Sequence, residues 1–136
     1  AGLEANRGDI IRYLWDTWSP GWQYTDAAFD RSAPSFDNPD FVDVVIHSYR
    51  HRHLNAPGEE RFLALERQLA QRPQIQVPVI VLRGAENGFG RPSRDPSGDQ
   101  RRFRSLVGRR IVDGAGHDLP AHRPDAVSSA LLELLR

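Results

Sequence analysis

The chain has no cysteine, no methionine and no lysine among its 136 residues, and its formal net charge is zero. Without cysteine there is no disulfide framework and no thiolate chemistry, and the redox state of a compartment leaves no mark. Eighteen basic residues balance eighteen acidic ones, so no long-range field draws the chain to nucleic acid or to an anionic membrane. No apolar run approaches the ~20 residues that cross a bilayer. No basic segment followed by an apolar core opens the chain as a secretory signal would. A cytoplasmic protein is the expectation. All eighteen basic residues are arginine, which fits the base composition of a source genome better than a function. The first residue is not methionine, so the chain is expected to begin inside a longer protein or to have been processed.

What is present is ordinary for a globular domain: 39% hydrophobic and 26% charged residues. A chain of this length can bury one core. Residues 1–7 are expected to fray. A helix is predicted from Asp9 through Ile10, Ile11, Leu14, Trp15 and Trp18, ended by Ser19-Pro20-Gly21. Thr25-Asp26 predicts the cap of a second, short helix carrying Phe29. Asn38-Pro39-Asp40 predicts a third, because asparagine caps, proline fits the first position and aspartate meets the positive end. Phe41, Val44, Val45, Ser48 and Tyr49 follow at helical spacing. Glu59-Glu60 opens a fourth, with Phe62, Leu65 and Leu69 on one stripe.

The pattern then changes. Val79-Ile80-Val81-Leu82 is a continuous apolar run of the kind found in a strand covered on both faces. A long loop follows over 84–98, then a predicted short helix over 100–106, a strand over 110–112 and a closing helix over 124–135. The expectation is four helices followed by β-α-β-α. Two parallel strands do not finish a sheet, so the remaining strands are expected to come from elsewhere.

Two segments carry the chemistry. Gly84-Ala85-Glu86-Asn87-Gly88 is a polar loop after the first strand. Gly114-Ala115-Gly116-His117, with Pro124 beyond it, is a histidine loop after the second. Pro78 to Asn87 resembles the P-x-x-x-x-x-G-x-x-D acid segment of the α/β-hydrolases. Gly114 to Pro124 resembles their G-x-G-H…P segment. From about Trp15 onward the chain is similar to the C-terminal half of the epoxide hydrolase, dehalogenase and haloperoxidase-like group, and Phe36 to Arg50 resembles a lid segment of that group. The resemblance implies an α/β fold, with a helical lid at 1–72 and the C-terminal part of the hydrolase core at 73–136. It implies His117 as general base and a catalytic acid in the Glu86–Asn87 loop. It further implies hydrolysis of a small, fairly apolar ester, epoxide or halide, without a cofactor.

Two departures qualify this. Asn87 stands where the family has aspartate, and an amide orients an imidazole without offsetting its charge. No G-x-S-x-G or G-x-D-x-G elbow occurs, so the nucleophile is expected on a missing N-terminal segment. The partners implied are a small-molecule substrate and either that missing half or a second copy of the chain, with no nucleic acid and no membrane. An inactive hydrolase-like binding or assembly module is the alternative.

Other residues have plainer readings. Trp15, Trp18, Trp22 and Tyr24 form an aromatic cluster, of which Trp18 or Trp22 is a candidate to line a pocket. Tyr49 is a candidate hydrogen-bond donor to substrate. Asp43, His47 and His51 stack at i, i+4, i+8, but no fourth ligand accompanies them, and a solvated stripe is the expectation. His53 and His122 are expected in solvent.

Overall fold

The computed structural model describes residues 2–136. These fall into two compact units, one of residues 2–12 and Tyr24–Arg72, the other of Tyr13–Gln23 and Pro73–Arg136. Among the described residues no helix is long and apolar enough to cross a membrane.

The first unit is helical. It contains α1 (Gly2–Ala5), the start of α2 (Arg7–Trp18), α3 (Asp26–Ser32), α4 (Phe41–Arg52) and α5 (Leu63–Ala70), with 3-10 turns at Ala33–Asp37 and Glu60–Phe62. Residues 2–5, expected to fray, are helical, and α2 starts two residues before Asp9. Thr25 caps α3 as predicted, its hydroxyl accepting from the Ala28 N–H at 3.1 Å. Asn38 does not cap α4. Its Oδ1 accepts from the Asp40 N–H at 2.9 Å, which makes a local turn and moves the helix start to Phe41. Phe29 is buried, with the Arg12 guanidinium 4.0 Å from its ring centroid and Phe36 packed at 5.9 Å. Val44, Leu65 and Leu69 are each more than half exposed, so the apolar stripes of α4 and α5 are not covered.

The second unit is α/β. The end of α2 joins β1 (Ile75–Gly84), α6 (Ser97–Arg102), β2 (Phe103–Val112), α7 (Leu119–His122) and α8 (Pro124–Leu134). The strands pair in parallel from Ile75 against Phe103 to Gly84 against Val112. The register slips near Pro78, which has no N–H to give to the ladder. The helix predicted over 100–106 is corrected: α6 ends at Arg102, and 103–112 is all strand. Pairing with β1 outweighs the local propensity of that arginine-rich stretch.

The core is small. Val112, Ala115 and Leu119 are buried, with Leu82, Ala126 and Val127 packed against them. The run 79–82 is only half-buried, and Val77 and Val107 are 63% and 53% exposed. Each strand therefore has one partner among the described residues and an outer edge without one.

Candidate active site

Because β1 and β2 are parallel, both loops that follow them leave the same end of the sheet. Two backbone bonds stitch these loops together: Ala85 N–H to the Val112 carbonyl at 3.0 Å, and Glu86 N–H to the Ala115 carbonyl at 2.9 Å. Gly114 adopts φ +70°, which favours glycine. Gly116 must be glycine for a different reason: a Cβ there would lie 2.5 Å from the Ser19 Cα.

That close approach lets the C-terminal end of α2 hold both loops. The Trp18 carbonyl accepts from the N–H of Gly88 and from the N–H of His117, each at 3.0 Å. The hydroxyl of buried Ser19 accepts from the Asp118 N–H at 2.9 Å. The tight turn at Ser19-Pro20-Gly21, read in the sequence only as a helix stop, is part of the scaffold of the site.

The His117 imidazole is exposed and packs edge-on against two rings, Trp18 at 5.6 Å and Phe89 at 4.9 Å between centroids. It borders an open cleft of about 400 Å³, which Asn87, Arg91 and Leu82 also line. A second cleft of about 510 Å³ lies against Glu86, Asn87, Arg94 and Asp113. Asn87 Oδ1 accepts from the Phe89 N–H at 3.0 Å, and Glu86 Oε1 accepts from the Gly114 N–H at 3.1 Å. Among the described residues, no hydrogen bond joins either side chain to the His117 ring. Trp22 packs against Trp15 at 4.9 Å and His122 at 5.3 Å. Tyr49 lies on α4 in the helical unit, about half exposed beside Ser48 and Arg52.

One organising cluster has no simple sequence signal. Asp99, on α6, is buried and accepts from Arg83 of β1 at 2.6 Å and from Arg109 of β2 at 2.8 Å. These bonds, that from Arg109 foremost, hold the Asp99 carboxyl below its usual range although burial opposes them. Arg109 also donates to the carbonyls of Ser93 and Arg94, which pins the far end of the Asn87 loop.

Among the described residues no group of three or more His, Cys, Asp or Glu is placed to hold a metal ion. His47 and His51 stack at 6.2 Å, and His51 Nε2 faces Glu66 Oε1 at 3.1 Å. His122, expected in solvent, is instead half-buried. Its Nδ1 accepts from the Gly116 N–H at 3.0 Å, because α7 folds back under the histidine loop.

No protein-family model matches the chain, and no curated protein does. The chain is similar to a solved structure from Klebsiella pneumoniae. That protein, from subsp. pneumoniae MGH 78578, is named as a candidate epoxide hydrolase; the match has 34% sequence identity and a TM-score of 0.89. It covers 98% of this chain and 44% of the other, so the chain spans less than half the length of the protein it resembles.

Proposed function

We propose that this chain is the lid and C-terminal part of an α/β-hydrolase, with residues 1–72 as lid and 73–136 as core. The whole enzyme hydrolyses a small, fairly apolar epoxide, ester or halide. A serine or aspartate nucleophile, carried on an N-terminal segment, forms the covalent intermediate. His117 activates that nucleophile or the water that resolves the intermediate. Asn87 or Glu86 holds the acid position of the loop, and Trp18, Trp22 and Tyr49 belong to the substrate side. No cofactor takes part.

The observation that carries this reading is the placement of His117. It stands on a tight glycine loop at the C-terminal end of a parallel strand, beside the Asn87 loop of the neighbouring strand and on the rim of an open cleft. Ligands of open α/β sheets bind at that end. The likeness to an epoxide hydrolase candidate points the same way.

The second reading, an inactive binding module, draws on Asn87. Its Oδ1 is engaged by the Phe89 N–H, and an amide supplies no charge to an imidazolium. Turnover separates the two. The 136-residue chain alone is expected to hydrolyse neither styrene oxide nor p-nitrophenyl acetate. The protein extended through a nucleophile elbow is expected to hydrolyse one of them and to lose that activity in His117→Ala. Hydrolysis by the short chain that depends on His117 overturns the placement of the nucleophile on a further segment, and an extended protein without turnover overturns the hydrolase reading.

A further inference from the structure

His122 lies outside the catalytic constellation, yet it is tied to the loop that carries His117. Its Nδ1 sits between a donor and an acceptor of that loop: the Gly116 N–H at 3.0 Å and the Gly114 carbonyl oxygen at 3.3 Å. The amide hydrogen points at Nδ1, so Nδ1 carries the lone pair and the ring proton is on Nε2. Nε2 is buried and has no hydrogen-bond partner among the described residues; the ring packs against Trp22. The unmatched donor at Nε2 is a cost, and what offsets it is the Gly116 N–H, which would lose its acceptor in the other tautomer.

We propose that His122 is a positioning residue for His117, acting as a tautomer-dependent latch on the Gly114–His117 loop. In the neutral ring, Nδ1 caps the Gly116 N–H, the amide directly before His117. A protonated Nδ1 has no lone pair, cannot accept from Gly116, and has one acceptor in reach, the Gly114 carbonyl. Protonation therefore exchanges one loop partner for another two residues away and releases the amide next to His117.

The ionisable groups on the segments around the ring do not replace this bond. Asp113, His117 and Asp118 lie exposed on the loop itself. Glu86 holds Gly114 through its N–H at 3.1 Å. Arg123 is engaged by Asp125 at 2.7 Å and by the Asp113 carbonyl at 3.0 Å. The segment that brings Trp22, residues 19–23, carries no ionisable side chain. The consequence for catalysis rests on His117 being the base, whereas the latch does not.

The test is therefore spectroscopic. In protein labelled with 15N, the His122 ring at about pH 8 is expected to show an unprotonated Nδ1 and a protonated Nε2. When acidification protonates Nδ1, seen directly in the ring 15N signals, the Gly116 amide proton is expected to lose its downfield shift. His122→Gln, whose amide oxygen accepts without titrating, is expected to abolish that pH dependence, and His117→Gln to leave it in place. The opposite tautomer at high pH overturns the latch even if no variant folds. So does a Gly116 signal that ignores protonation of the ring, or one that still responds in His122→Gln. Failure of the hydrolase reading shows separately, as absent turnover with the titration intact.

Discussion

His117 and Trp18 meet twice: the Trp18 carbonyl accepts the His117 N–H at 3.0 Å, and the indole packs edge-on to the imidazole with 75° between the planes. The backbone bond does not involve the indole, but the ring wall does. Trp18→Ala is expected to lower stability by about 2–3 kcal/mol, less than for a fully buried indole. In the extended enzyme it is also expected to lower kcat more than it raises KM, because the imidazole loses one of two confining rings. Thermal unfolding and steady-state kinetics check this. An unchanged kcat would show that Phe89 alone confines the base.

Gly116→Ala places a Cβ 2.5 Å from the Ser19 Cα. Neither backbone has a flexible end to move, so the α2 end must draw back from the loop. A loss of about 1–3 kcal/mol is expected, with weakened protection of the His117 and Asp118 amides in hydrogen exchange. Wild-type protection in this variant would refute the clasp.

Asn87→Asp restores the carboxylate that the resemblance calls for. If Asn87 holds the acid position, kcat of the extended enzyme is expected to rise by about tenfold or more. Glu86→Gln keeps an oxygen that can accept from Gly114, and a small effect is expected if Glu86 only supports the loop. A loss of orders of magnitude would make Glu86 the working acid. No effect from either change places the acid on another strand.

Asp99 ties both strands to α6, and its pH dependence has a definite sign. Its carboxyl is held below the ordinary range, first by Arg109 and then by Arg83. The stabilisation is therefore present above the unfolded value of about 4 and is lost as pH falls through the lower folded one. Asp99→Asn is expected to cost about 1–3 kcal/mol near neutral pH and to flatten the acid limb of the stability profile below about pH 4. Urea unfolding at several pH values measures it. Parallel profiles for variant and wild type would remove Asp99 from the account.

Val77 and Val107 stand more than half exposed on strands that each lack a second neighbour among the described residues. The isolated chain is expected to self-associate at high concentration, and the extended protein to do so far less. Light scattering that finds a compact monomer of the short chain would count against the need for further strands.

Much of this was legible from local chemistry. Thr25 caps α3 because a threonine hydroxyl meets an orphan amide wherever a helix starts there. The Gly114-Ala-Gly-His117 run announced a tight loop after a strand, and the structure contains one. What escaped was non-local. Phe103 to Leu106 looked helical because its partner strand, some thirty residues earlier, is invisible in a short window. Trp18 looked like pocket lining, yet its carbonyl, which no side-chain pattern encodes, holds two loops. His122 looked solvated because its neighbours in sequence are polar, whereas its neighbours in space are Trp22 and two glycines. The pairing of Asp99 with two arginines needed both strands in place before it could be seen.

The bond from Asp118 to Ser19 spans 99 residues, while Glu86 and Gly114 meet across 28. Closing the longer span costs about 1 kcal/mol more chain entropy. The paired strands can thus form before the helix end reaches them, leaving the histidine loop without its anchor. During refolding, strand protection should precede order around His117, so the shape of the histidine loop would be the last feature the molecule acquires and the first it loses.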